Sequence, residues 1–373
     1  MRITIVSGAF LPAPPLMGGA TEKIQFALGR EFARRDCEVN HISRLYADLP
    51  RYELKEGVNY TRIPGYDTPA SLLKLKYLDL LYSLRVRRVL PPADILVTNT
   101  FWLPIVTRTQ RYGNIYVSVR RYPKGQMRLY KHARRLQAVS NAVAEAIIEQ
   151  SPECKSLVKT IPNPLPENWM EPPIDIGQVR ENWILYVGRI HPEKGIDLLI
   201  DAFTQAVNRG LTGWRLVIVG PWETRYGGGG NDFHQRLIQR RETAASRIDW
   251  VGPVFEEEVL KRYYDRAALF VYPSLAERGE AFGLAPLEAM ARGCIPIVSS
   301  LSCFRDFTQP DHNAFVFDHH TDDPVANLTE VLMKAVRLSP SLTQMRANAV
   351  QTARKFTLES VATEMLADFE SLL

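Results

Sequence analysis

Short β-branched runs alternate with amphipathic stretches along the whole chain, and a cluster of prolines interrupts that rhythm once. In the first half the apolar runs are residues 3–6, 39–43, 95–98, 115–119, 136–140 and 158–161. In the second they are 183–187, 215–219, 248–251, 269–272, 295–299 and 314–317, with helical patterns such as 20–34, 195–208 and 256–267 in between. Strands alternating with helices predict two parallel, doubly wound α/β sheets with right-handed crossovers. The segment Pro162-Asn-Pro-Leu-Pro166, followed by Pro172-Pro173, can form neither a helix nor a central strand and reads as a linker. At 373 residues the chain is too long for one ordinary core. The expected layout is a Rossmann-like domain over 1–162, a linker over 163–180, a second Rossmann-like domain over 181–355 and a final helix over 356–373 returning to the first domain. Open sheets of this kind bind ligands in the crevice beyond their strand carboxyl ends, so functional residues are sought in loops that follow strands.

Composition narrows the partners. No stretch approaches the about 20 apolar residues of a membrane-spanning helix. The first strand-like run, residues 2–7, begins at once, without the charged and apolar regions of a signal peptide. Cys37, Cys154, Cys294 and Cys303 form no close pair and no metal-like spacing, as expected for free thiols in a reducing cytoplasm. Net charge is +5, but residues 1–162 hold 25 Lys+Arg against 13 Asp+Glu, and the remainder holds 21 against 28. A basic first half faces either an anionic membrane or acidic acceptor, or simply water. No nucleic-acid module or aromatic–basic stacking stripe is present, so nucleic acid is not an expected partner. Residues 72–89 are basic and amphipathic, either a surface helix packed on its own sheet or one resting on an anionic bilayer.

Five loops carry candidate chemistry. Gly18-Gly19 precedes a helix, where free N–H groups and the positive end of the dipole suit a phosphate, or where the pair is only a turn. In the loop from Gly188 to Gly195, Arg189 and Lys194 stand five apart before a helix, two cations suited to a pyrophosphate. The four glycines 227–230 imply a mobile loop, and Val251-Gly252 ends a strand where backbone groups could read a base edge. The fifth is Glu280-Ala-Phe-Gly-Leu-Ala-Pro-Leu-Glu288, two carboxylates around a Phe-Gly step. Pro286 suits the first helical position, which puts Glu280 on a loop and Glu288 in the first turn. First-turn acids are common for dipole reasons alone; a loop glutamate has no such explanation.

Together these pieces resemble retaining glycosyltransferases of GT-B fold, glycosyltransferase family 4, over nearly the whole chain, with a narrower likeness to cyanobacterial envelope-polysaccharide enzymes at 121–130. The resemblance implies two Rossmann-like domains facing a cleft, the first on the acceptor side. It implies that Glu280 contacts the transferred sugar, that Glu288 holds the ribose, and that Arg189 and Lys194 bind the diphosphate. Gly188, Val251, Gly252, Ala281, Phe282, Gly283 and Leu284 would complete the donor site, with Gly18 and Gly19 closing over it. Many relatives carry a histidine after the strand ending near Val119; Arg120 and Arg121 stand here instead, on the acceptor side. The implied reaction moves a hexose, taken as glucose, from a UDP-sugar to a polysaccharide or lipid-linked saccharide in envelope or exopolysaccharide synthesis. No metal or other cofactor is expected, since no Asp-x-Asp occurs near these loops and Arg189 with Lys194 can stabilise the leaving diphosphate. The expected location is the cytoplasm or the inner membrane face. A GDP-mannose-dependent transferase of the same fold and a UDP-sugar isomerase are the alternatives.

Overall fold

The computed structural model describes residues 1–107, 110–240 and 244–373. The chain forms two compact units, residues 1–167 together with 356–373, and residues 168–355.

The first unit is built on an eight-stranded sheet comprising β1 (Arg2–Val6), β2 (Glu38–Leu45), β3 (Tyr52–Lys55), β4 (Val58–Pro64), β5 (Ile95–Thr98), β6 (Asn114–Val119), β7 (Arg135–Ala138) and β8 (Val158–Thr160). Its spatial order is β3-β4-β2-β1-β5-β6-β7-β8. The helices are α1 (Ala20–Arg34), α2 (Leu72–Val89), the single turn α3 (Leu103–Val106) and α4 (Asn141–Gln150). Ile3, Ile5, Val6, Leu96 and Leu136 are buried, as expected of parallel strands covered on both faces. One edge departs from the expected all-parallel sheet, because β3 pairs antiparallel with β4. Lys55 faces Val58 across a two-residue turn, in which Glu56 and Gly57 both have positive φ, 51° and 78°. That is the primed turn that matches strand twist, and Glu-Gly is an uncommon way to make it.

The final helix, Leu358–Glu370, packs on this sheet. Thr357 caps it, its hydroxyl accepting from the Ser360 N–H at 3.2 Å. Phe369 meets Tyr116 of β6 edge-on at 4.8 Å and Phe32 of α1 at 5.7 Å. Beside it, the fully buried Asp368 carboxylate accepts from both Arg135 Nε and Nη2, at 3.0 and 2.8 Å, and from Lys159 Nζ at 3.1 Å.

The second unit carries six parallel strands, β9 (Glu181–Val187), β10 (Arg215–Val219), β11 (Ile248–Gly252), β12 (Ala267–Tyr272), β13 (Ile295–Ser299) and β14 (Phe315–Phe317), in the order β11-β10-β9-β12-β13-β14. Its helices are α5 (Ile196–Asn208), α6 (Asn231–Gln239), α7 (Glu257–Arg266), α8 (Leu284–Ala291), α9 (Pro324–Leu338) and α10 (Thr343–Ala353). Residues 168–173 are held in this unit by the buried Arg292. Its Nη1 donates to the carbonyls of Trp169, Glu171 and Pro172, while Nε and Nη2 grip Asp265. All four cysteines are free, and Cys154, Cys294 and Cys303 are buried.

Asp368→Ala removes the shared partner of two cations and should cost about 3 kcal/mol, read from urea unfolding. A loss below about 0.5 kcal/mol would show that the final helix is held by its apolar face alone.

Candidate functional site

In the second unit the strand order reverses between β9 and β12, so the loops leaving these two strands flank the topological switch point. Backbone contact locks them together. Gly195 has φ 64°, and a Cβ there would overlap the Pro273 carbonyl oxygen. The Leu275 N–H donates to the Glu193 carbonyl at 2.9 Å. A Cβ on Gly220, after β10, would likewise overlap the Gly188 carbonyl, so glycine at 220 lets two chain segments touch where a side chain would hold them apart.

Lys194 and Glu280 meet at this point. Lys194 Nζ lies 2.7 Å from Glu280 Oε2, with only 8% and 11% of the two side chains exposed. The same oxygen accepts from the Tyr272 hydroxyl at 3.1 Å and from the Ser274 hydroxyl at 3.3 Å. Burial first, then the adjacent carboxylate, push the Tyr272 phenol well up, so it remains a neutral donor. Glu280 is thus a positioned carboxylate, three donors converging on one oxygen, rather than a freely solvated one. Arg189 is more exposed. It donates to the Gly227 carbonyl at 2.7 Å and to Glu193 Oε1 at 2.8 Å, while its own carbonyl accepts from the Tyr186 hydroxyl at 2.8 Å. Two cations therefore flank the start of α5, each already carrying a carboxylate.

Two expectations change. The four glycines form a pinned turn instead of a loose loop: Gly228 N–H donates to Glu223 O, Gly229 to Ile190 O and Gly230 to Trp222 O. A Cβ on Gly228 would overlap the Trp222 backbone, so glycine serves close packing there as well as bending. Second, α8 begins at Leu284, two residues earlier than Pro286 suggests, with Gly283 as its N-cap at φ 86°. Proline is tolerated at the third position because the first four N–H groups of a helix lack intrahelical partners. Glu288 accordingly sits in the second turn of α8, and the dipole no longer accounts for it. Its Oε2 accepts from the Tyr264 hydroxyl at 3.1 Å, and its carbonyl accepts from the Trp169 indole N–H at 3.1 Å. Between the glutamates, Ala281 is half-buried, Phe282 packs on Phe307 at 5.6 Å, and a side chain on Gly283 would overlap the Phe304 ring. Val251 is half-buried at the end of β11, and the Gly252 carbonyl accepts from Gly220 N–H at 2.9 Å.

The remaining candidates lie in the first unit, also beyond strand carboxyl ends. Gly18 and Gly19 have φ 77° and 93°, and Gly19 caps α1 without a side chain. The buried Glu22 carboxylate curls back over Gly19, where a Cβ would overlap it. Burial raises the Glu22 carboxyl, opposed by its own backbone N–H and by the charges of Arg121 and Arg120. Arg120 donates to Asn163 Oδ1, and burial brings its guanidinium down to about 10. Arg121 is exposed. Glu22 was not singled out from sequence, because an acid in a first turn carries no functional signal. Tyr264, Tyr272 and Ser274 also escaped notice; the Tyr-Pro-Ser at a strand end was the one available cue for the latter two. Lys194→Met should strand a buried carboxylate and lower stability by about 3 kcal/mol, with most of it recovered in the Lys194→Met/Glu280→Gln double variant. Equal thermal midpoints for wild type and Lys194→Met would remove the ion pair from this account.

Residues 176–356 match the family model for glycosyl transferases group 1. The chain is 30% identical over 191 residues to the D-inositol 3-phosphate glycosyltransferase of Jonesia denitrificans, covering 50% of this chain and 42% of that protein. It is 29% identical over 189 residues to the lipopolysaccharide core biosynthesis mannosyltransferase LpsB of Rhizobium meliloti, covering 50% of each. The chain thus spans half or less of the length of these curated relatives. Among solved structures, sucrose-phosphate synthase from Thermosynechococcus elongatus superposes with a TM-score of 0.81 at 19% identity, covering 100% of this chain and 99% of that one. Anabaena Alr3699/HepE in complex with UDP and glucose gives 0.72 at 18% identity, covering 100% of both. At such identities these structures speak for the fold alone. The chain has the GT-B glycosyltransferase fold, and its segment 176–356 matches the model of the glycosyl transferases group 1 family.

Proposed function

We propose that the protein is a retaining glycosyltransferase that moves a hexose, glucose by preference, from a UDP-sugar to a polysaccharide or lipid-linked saccharide in envelope or exopolysaccharide synthesis. The observation that carries this reading is the Glu280 carboxylate, held by Lys194, Tyr272 and Ser274 at the switch point of the second sheet. In this reading Glu280 orients the sugar and Glu288, on α8, binds the ribose. Arg189 and Lys194 turn toward the diphosphate, whose negative charge grows as the glycosidic bond breaks. They do so without a metal. The leaving phosphate takes the acceptor proton as the acceptor oxygen attacks from the same face, and Glu280 forms no covalent intermediate. A UDP-sugar fits the Anabaena neighbour, which is solved with UDP-glucose.

Thermal-shift screening against nucleotide sugars, followed by UDP release with the best binder, tests the donor. Stabilisation by GDP-mannose over every UDP-sugar would replace the donor, and conversion of a UDP-sugar without UDP release would make the protein an isomerase. Arg189→Ala should lower kcat about 100- to 1000-fold, the equivalent of roughly 3–4 kcal/mol of lost phosphate stabilisation. Unchanged turnover would refute its role.

Contact with the inner membrane face belongs to the same reading. On α2, Leu72, Leu73 and Tyr77 are exposed alongside Lys74 and Lys76, and Leu16 and Met17 are exposed in the loop after β1. Apolar and basic groups in one helix suit the surface of an anionic bilayer. Among the described residues no helix is long and apolar enough to cross a membrane. Co-sedimentation with anionic vesicles at low salt should succeed and should weaken in Leu72→Glu/Leu73→Glu; absence of binding by the wild type would reject membrane contact.

A further inference from the structure

Three side chains outside the donor residues converge on one point. Glu277 lies in the loop after β12, and His319 and His320 lie after β14. His319 Nε2 is 2.8 Å and His320 Nε2 is 3.0 Å from the same oxygen, Glu277 Oε1. The hydrogen bonds behind His319 decide what these atoms can do. Ser300 Oγ, after β13, lies 2.9 Å from His319 Nδ1 and 3.2 Å from Asp318 Oδ1, and its one proton can serve either partner. Where Ser300 donates to Asp318, Nδ1 carries the ring proton, and the neutral imidazole turns its Nε2 lone pair toward Glu277. In that tautomer a metal ion between Nε2 and Glu277 Oε1 turns a repulsive contact into two coordinate bonds.

We propose that Glu277, His319 and His320 form a divalent-cation site whose fitting occupant is Zn2+. Two imidazole nitrogens and one carboxylate oxygen make a three-ligand set that leaves a fourth position to water. Tetrahedral Zn2+ would hold its ligand atoms roughly 3.3 Å apart, so the loops need open only by a few tenths of an ångström. The second layer is already built. Ser300 and Asp318 support the ligating tautomer of His319, the Asp318 carboxylate accepts the His320 backbone N–H at 2.9 Å, and the Asp318 backbone N–H donates to Asn327 Oδ1 of α9 at 2.9 Å. Only 5% of the His319 side chain is exposed, against 65% for His320 and 51% for Glu277, so an ion can enter from solvent. A bound ion would tie the loop that carries Glu280, three residues beyond Glu277, to the loop after β14. It is distinct from any metal at the diphosphate and takes no part in the transfer step.

The test uses the full, tag-free chain stripped with chelator and titrated with ZnCl2 by calorimetry, then with CoCl2 by visible absorption. Neither titration needs a sugar donor, so its outcome is independent of the proposed transferase activity. Wild type should take up about one equivalent near neutral pH and give the intense visible bands of four-coordinate cobalt. His320→Ala, at an exposed position where folding is unaffected, should abolish both signals, and Ser300→Ala should weaken binding about tenfold. His312→Ala, an exposed histidine elsewhere in the unit, should bind as wild type does. Absence of saturable uptake by the wild type, or uptake unchanged in His320→Ala and Glu277→Gln, would overturn the proposal.

Discussion

The second unit is organised around an ion pair that joins two loops at a reversal of strand order. Lys194 follows β9 and Glu280 follows β12, 86 residues later. Removing both from water carries a penalty that their attraction repays only if the remaining lone pairs are satisfied. Tyr272 and Ser274 supply that satisfaction, and Ser299 in turn donates to the Ser274 carbonyl at 2.6 Å. A glycine beside the pair follows from the same requirement. Gly195 must approach Pro273, or the loops after β9 and β12 would stand too far apart for a lysine and a glutamate to meet.

How much of this was legible in the sequence depends on range. The helix Ala20–Arg34 and the strands Ile95–Thr98, Arg215–Val219 and Ile295–Ser299 agree with their sequence patterns at both ends, because periodicity and β-branched runs are local properties. The hairpin of β3 and β4 escaped because its edge strand is exposed and lacks an apolar run. Glu288 was placed one turn too early, since proline at the third position of a helix satisfies the same rule as proline at the first. The candidate residues could be picked out singly by type and by the ends of strands, yet their pairing could not. Lys194 and Arg189 read as two cations awaiting phosphate, whereas each has a carboxylate partner, Glu280 and Glu193.

That difference alters the chemistry expected of the site. In the proposed transferase, a cation already paired would have to exchange partners to receive a diphosphate, which would couple donor binding to the release of Glu280 from Lys194. The carboxylate would keep Tyr272 and Ser274 while its charge became available to the proposed sugar, so the site is held in shape before any donor arrives.

The final helix carries a different consequence. Asp368 and Phe369 complete the first sheet, yet they are made after the whole of residues 168–355. During synthesis the ribosome therefore releases an entire second unit while Arg135 and Lys159 still lack their anion and Tyr116 its aromatic cover. The earlier half of the chain is the later one to be finished, and the face that the final helix covers stays open until residues 358–370 emerge.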